Sequence, residues 1–425
     1  DARINQVIRD VARASGDAVR LVDVERLFTE AAQAPGHIPG GDLFYDHCHM
    51  NINGNYRIAR AILEEMEPLL PASIRQTSSS DRTIPDLRQC AKRLAFSGWD
   101  QLKINRDVLT AMERPPFTHR LDNAERIDLQ RRQIATQQAF LTPEALQRYR
   151  APYEQAIEQA PDDCTLRRNF ASLLQALRDP SAAETQWRIV LNRFPEDAQA
   201  HIELGRSLVN QNKPKDGAEQ YRLALASPYC DSRSRAIAHF NLAIALERLE
   251  QPADAIEHYR AAIRLSPTYE KAHVNLGLAL RRQGEIDRAL DHFKRAIEIN
   301  PDFSPGHLNL ALTLLGRERL EEAVSAFAEV SRIEPRNAMV HAAMGDTLVR
   351  LDRVDEAIAH FETVIQLAPG SAEAHHNLGI ARMKQGDLSG AIEHFETALR
   401  LKPDFPDARA NLEAARGKRE LETRD

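Results

Sequence analysis

The sequence predicts a mostly α-helical chain, a right-handed superhelix of antiparallel helix pairs preceded by a partial α/β segment. Three observations predict it. A pattern of small, aromatic and proline residues recurs with a 34-residue period from Cys164 onward. Residues 1–75 lack that period and order a helix, a short apolar run, a Gly/Pro loop and a second helix. The composition, 28% charged, 43% hydrophobic and 6% aromatic, suits a well-solvated helical protein and argues against disorder. With 56 basic and 62 acidic residues the net charge is −6, so nucleic acid and anionic membrane are not expected partners. No run of about 18 apolar residues occurs, so no membrane-spanning helix is expected within the chain. Cys48, Cys90, Cys164 and Cys230 stand far apart without CxxC spacing. They read as free thiols, neither a disulfide framework nor a zinc site.

The first segment opens with INQVIRDVARASG, a helix ending at Gly16. AVRLVDVE follows, an apolar run suited to a buried parallel strand. A loop containing Pro35, Gly36, Pro39, Gly40 and Gly41 leads to Asp46-His47-Cys48-His49, then Asn53-Gly54 and the helical NYRIARAILEEM. This order resembles the C-terminal end of an SGNH (GDSL-type) hydrolase domain, whose motif is D-x-x-H followed by a glycine and a helix. The resemblance covers residues 1–75. It implies that His49 is the general base for a serine nucleophile and that Asp46 orients it and stabilises its charged form. It also implies a GDS-like serine and an oxyanion hole in earlier segments. Neither precedes Asp1 in this sequence, so half a triad is expected here, and the chain reads as a fragment or a mature form. Residues 1–75 alone are expected to be poorly stable. QTSSSDRTIP, residues 76–85, reads as a linker.

Residues 86–163 read as a helical connector. DLRQCAKRLAF and WDQLKINRDVLTAMER are its first helices, the second stopped by Pro115-Pro116. DNAERIDLQRRQIATQQAF begins with a capping box from Asp122 to Glu125. Thr142-Pro143 is an N-cap and first-turn pair opening a helix over 143–160, the lone second helix of an eroded repeat.

From 164 the repeats start at 164, 198, 236, 270, 304, 338 and 372, giving seven repeats over 164–405 and a capping helix over 406–425. Four extra residues precede the third. Position 8 is small (Ala171, Gly205, Ala243, Gly277, Ala311, Gly345, Gly379), as is position 20. Position 24 is aromatic (Trp187, Tyr221, Tyr259, Phe293, Phe327, Phe361, Phe395) and position 32 is proline in six of the seven. Small residues let helices A and B cross closely. The aromatic is expected to fill the gap between repeats, and the proline ends helix B. This pattern resembles the tetratricopeptide repeat. The resemblance implies a stack whose A helices line a concave groove for a protein or peptide, with no cofactor.

Along that groove position 6 carries Asn241, Asn275, Asn309 and Asn377, position 9 Leu278 and Leu312, and position 13 Arg248 and Arg282. An asparagine amide both donates and accepts, so a ladder of them can hold the backbone of an extended peptide. The ladder resembles that of O-linked N-acetylglucosamine transferase. The competing reading is a consensus asparagine that stabilises helix packing. Position 4 holds six histidines (201, 239, 273, 307, 341, 375) and position 23 four (258, 292, 360, 394). Equivalent histidines in neighbouring repeats stand roughly 10 Å apart, too far to share a zinc. They read as packing residues and no metal is expected. Their protonation near pH 6 would loosen the stack.

Two functions fit. One is a repeat scaffold fused to an SGNH-type serine esterase or acyl hydrolase. The other is a non-catalytic scaffold with a decayed hydrolase remnant. The binding arm of a glycosyltransferase is a weaker third. A cytoplasmic location fits the chain as it stands, with any signal or anchor carried by a missing N-terminus.

Overall fold

The computed structural model describes residues 97–112 and 123–422. The segment 1–75, the linker, the helix expected at DLRQCAKRLAF, the Pro115-Pro116 stop and Asp122 lie outside the described residues. Among the described residues every regular element is an α-helix and there is no strand. The chain divides into two compact units, residues 1–195 and 196–425.

In the first unit α1 (Gly98–Met112) packs on α2 (Asn123–Phe140), followed by α3 (Pro143–Gln147) and α4 (Arg150–Gln159). The contact between α1 and α2 is polar: Asn105 donates to Gln137 at 2.8 Å, and Gln130 donates to the Asn105 carbonyl at 3.1 Å. Thr142 caps α3 by accepting from the Ala145 amide at 3.2 Å. The single helix expected over 143–160 is two. Pro152 has no N–H for the Arg148 carbonyl, so the helix cannot run through and restarts at Arg150. Tyr153 on α4 is fully buried and donates to the Asp100 carboxylate of α1 at 2.6 Å. Its ring stacks on Phe170 at 5.6 Å. That ring belongs to α5 (Cys164–Ala176), which pairs with α6 (Pro180–Arg193) as the first repeat.

The second unit stacks six more helix pairs. They are α7 (Ala198–Asn210) with α8 (Pro214–Ala226), α9 (Ser232–Arg248) with α10 (Pro252–Leu265), and α11 (Glu270–Arg282) with α12 (Ile286–Ile299). Then come α13 (Ser304–Gly316) with α14 (Leu320–Ile333), α15 (Ala338–Arg350) with α16 (Val354–Leu367), and α17 (Ala372–Gln385) with α18 (Leu388–Leu401). The closing helix is α19 (Pro406–Glu422). Within the unit each A helix packs on its own B helix, and each B helix on the next A helix. The four extra residues before the third repeat are helical: α9 has 17 residues where α7 and α11 have 13. They add one turn at its start, capped by Asp231, which accepts from the Ser234 amide at 2.6 Å. That bond and its neighbours hold the Asp231 carboxyl below the usual range.

The turn between A and B is the same in all seven repeats. Position 15 takes a positive φ: 58–61° at Arg178, Asn212, Glu250, Glu318 and Asp352, 84° at Gly284 and 91° at Gly386. The amide of position 16 then reaches back to the carbonyl of position 11, as from Lys213 to Leu208 and from Arg319 to Leu314, at 2.9–3.0 Å. This is a Schellman ending, and it satisfies a carbonyl that helix A leaves open.

The aromatic at position 24 lies over position 8 of its own repeat, and in the third repeat its hydroxyl also meets Asn275 of the next. A Cβ on Gly277 would stand 2.6 Å from the Phe293 ring, and one on Gly345 2.5 Å from Phe361. Tyr221, Tyr259, Phe293, Phe327, Phe361 and Phe395 are all fully buried. Gly277→Ala should lower stability by about 1–3 kcal/mol through overpacking against that ring, read as a lower urea midpoint. Glu250→Gly should raise stability by about 0.5–1 kcal/mol, because glycine takes the left-handed turn without the Cβ penalty.

Candidate peptide-binding face

All the predicted groove residues lie on A helices of the second unit. At the junction of the third and fourth repeats they form a connected polar network. Asn275 donates to the Tyr259 hydroxyl at 3.4 Å. Tyr259 donates to Glu247 Oε2 at 3.0 Å. Arg282 pairs with Glu247 Oε1 at 2.7 Å. Burial, and then the Glu247 charge, push the Tyr259 hydroxyl well above its ordinary range, so it is a permanent donor here. Glu247 and Tyr259 escaped the sequence reading. The available signal was tyrosine, in place of phenylalanine, at position 24 of this repeat.

The basic residues at position 13 do a different job from the one expected. Arg248 donates to the Val209 carbonyl at 2.7 Å, in the last turn of the preceding A helix. Lys384 does the same to Val349 at 3.0 Å. Arg350 pairs with Glu318 of the repeat before it. Each cation reaches back one repeat, onto carbonyls at the negative end of a helix or onto a carboxylate. Arg248 and Arg282 therefore join repeats.

The asparagines differ from one another. Asn241 makes no side-chain hydrogen bond among the described residues. Asn275 uses one N–H on Tyr259, which leaves its carbonyl oxygen and a second N–H. Asn309 folds onto its own helix, donating to the Pro305 carbonyl at 2.8 Å. Asn377 donates to Asp346 of the preceding repeat at 2.9 Å. Leu278 is half-buried against the core that the third and fourth repeats share. Leu312 is 42% exposed. The next repeat adds Met339, 73% exposed at the start of α15. Asn241, Asn275, Leu278 and Leu312 lie on three successive A helices, those of the third, fourth and fifth repeats.

One sequence profile of the tetratricopeptide repeat matches residues 168–231, 202–270, 240–304 and 342–404, and a second matches 280–346. Together they run unbroken over more than half of the chain. The chain belongs to the tetratricopeptide-repeat family. A comparison with curated proteins returns no match. Among solved structures, the C-terminal part of a tetratricopeptide-repeat protein from Cytophaga hutchinsonii is 14% identical, with a TM-score of 0.49, over 57% of this chain and 98% of its own. PilF of Pseudomonas aeruginosa is 22% identical, with a TM-score of 0.42, over 51% of this chain and 96% of its own. YrrB, a tetratricopeptide-repeat protein with an unusual peptide-binding site, is 24% identical, with a TM-score of 0.34, over 44% of this chain and 94% of its own. The family assignment rests on the profiles and the repeat geometry.

Among the described residues no helix is long and apolar enough to cross a membrane. Asp46 and His49 lie outside the described residues. Tyr259→Phe should lower the stability of this tetratricopeptide array by about 1–2 kcal/mol, because Glu247 loses a buried donor. The measurement is urea unfolding at pH 7.5, with Phe293→Tyr as the reverse exchange in a repeat that has phenylalanine.

Proposed function

We propose that the tetratricopeptide array is a protein-interaction scaffold whose A-helix face in the third to fifth repeats holds an extended segment of a partner protein. The observation that supports it most is the pair Asn241 and Asn275. Their amides keep donors and an acceptor on a face where Leu278 and the exposed Leu312 offer apolar contact. An extended strand advances about 3.3 Å per residue, so one asparagine per repeat, roughly 10 Å apart, meets every third residue of its backbone. Amide pairing of this kind reads main chain more than side chains. Asn309 can join by leaving its own helix carbonyl, and Asn377 by leaving Asp346. Arg248 and Arg282 support the face by fixing the repeats beneath it.

In the same reading the Asp46-x-x-His49 resemblance supplies a second element. The gene product would join this scaffold to an SGNH-type serine esterase or acyl hydrolase. His49 would act as base and Asp46 would orient it, acting on a serine from an earlier part of that domain. The array would then bring a protein partner or substrate to the hydrolase. The alternative is a scaffold without catalysis. A fluorophosphonate probe on the full gene product separates them: labelling that His49→Ala abolishes supports the hydrolase, and an unlabelled, folded product supports the scaffold.

The groove is tested with a peptide selected from a displayed random library on the intact chain. Asn241→Ala with Asn275→Ala should weaken that peptide by about tenfold or more, the loss of two or more hydrogen bonds. Unchanged affinity in fluorescence anisotropy, with an unchanged unfolding midpoint, would overturn the groove assignment.

A further inference from the structure

In four repeats the histidine at position 4 of helix A meets the histidine at position 23 of helix B. The two Nδ1 atoms stand 2.9 Å apart in His239–His258, 3.1 Å in His273–His292, 3.0 Å in His341–His360 and 3.2 Å in His375–His394. Two imidazole nitrogens this close share one hydrogen: one ring donates Nδ1–H and the other accepts. The far nitrogen of position 4 decides which. His273 and His341 point Nε2 at the carbonyls of Pro267 and Pro335, at 3.3 and 3.2 Å. A carbonyl only accepts, so Nε2 carries the hydrogen, and in a neutral ring Nδ1 is then the acceptor. The Nδ1–H of His292 and of His360 donates. The position-32 proline of the previous repeat thus sets the tautomer as well as ending a helix.

The second repeat keeps a hydrogen bond at this position without a second histidine. There Gln220 replaces the position-23 histidine, and its Oε1 lies 2.8 Å from Nδ1 of His201. Among the described residues no group of three or more His, Cys, Asp or Glu side chains is placed to hold a metal ion.

We propose that the four histidine pairs form an acid-sensitive latch between helices A and B of the third, fourth, sixth and seventh repeats. The first proton added to a neutral pair goes to the outer nitrogen of the position-23 ring and leaves the shared hydrogen bond intact. The second must go on the accepting Nδ1. Two N–H groups then face each other and the helices are pushed apart.

The surroundings oppose charging most in the third and fourth repeats. His239 and His258 face Arg235 of α9, Arg264, Asp254 and Glu257 of α10, and Arg222 of α8. His273 and His292 face Arg295, Arg288 and Asp291 of α12 and Arg260 of α10. His341 and His360 face Glu356 of α16, with the Ser331 hydroxyl of α14 at 3.5 Å. His375 and His394 face Arg400 and Glu393 of α18, Arg382 of α17 and Glu362 of α16. Burial, then the charge of the partner histidine and then these arginines, holds His239 and His292 down to about 4. Burial also lowers His258, His273, His360, His375 and His394.

The direction of the effect follows. These rings take protons less readily folded than unfolded, where the ordinary value is about 6.5. Their contribution to stability is complete above that value. It is lost as the pH falls below it, toward the folded values.

The test compares melting of the intact chain at pH 7.5 and pH 5.0 with that of a variant carrying His258→Gln, His292→Gln, His360→Gln and His394→Gln. Glutamine keeps a hydrogen-bond partner, as in the second repeat, and does not titrate. The wild-type melting temperature should fall by roughly 5 °C or more, and that of the variant by less than half as much. Equal falls overturn the latch. Should the fourfold variant fail to fold, His258→Gln with His292→Gln carries the same comparison. Histidine titration by NMR gives an independent reading: one ring of each pair should stay neutral well below pH 6.5 and then charge as the tertiary signals collapse. Titration of both rings of a pair near 6.5 with the fold intact overturns the latch.

Discussion

The array depends on the approach of helix A to helix B beneath the position-24 ring. Where position 8 is glycine, the ring edge occupies space that any side chain would need, so the two backbones come as near as an aromatic ring allows. Everything else in a repeat is arranged around that contact. The left-handed residue at position 15 turns the chain tightly enough to bring helix B back over helix A. The Schellman amide closes helix A, and the proline at position 32 ends helix B in time for the next pair. No single pair buries an apolar face completely, so each must be covered by a neighbour.

Polar groups inside this arrangement hold repeats together more than they advertise a site. The arginines and the lysine at position 13 reach backward, Tyr259 and Glu247 bridge two repeats, and several asparagines are bound within the stack. In the proposed reading, what remains for a ligand is a small set of amides and apolar side chains around the third to fifth repeats. A face made of consensus residues can therefore be specific only where a consensus residue is released from its packing duty. Asn241 and Asn275 fit that description and Asn377 does not.

The repeats were legible in the sequence because their physics is local and periodic. Small, aromatic and proline positions recur in fixed register, and helix boundaries follow from the caps and turns between them. The one-turn extension of α9 was visible only as an excess of four residues, since nothing in DSRS distinguishes a longer helix from a longer loop. The break before Arg150 was legible in Pro152 and passed over because the flanking apolar pattern continues through it. The partners of Arg248 and Arg282 were not legible. Their contacts join positions more than thirty residues apart, and a basic residue on a helix face reads the same whether it holds a ligand or the neighbouring repeat. The histidine pairs lay between these cases. The 19-residue spacing repeats four times, but the eye compares like positions in successive repeats before unlike positions within one.

The backward reach of Arg248, Lys384 and Arg350 gives the stack a sense. The third and seventh repeats each close the helix end of the repeat before them, and the sixth pairs with a carboxylate of the fifth. Removing a repeat from the front leaves a cation that water solvates readily. Removing one from the back takes away the donor that closed the previous helix and the wall that covered it. The two sides of these junctions are therefore inequivalent: loss of the earlier repeat leaves only a solvated cation, whereas loss of the later one uncovers the helix end at Val209 or Val349.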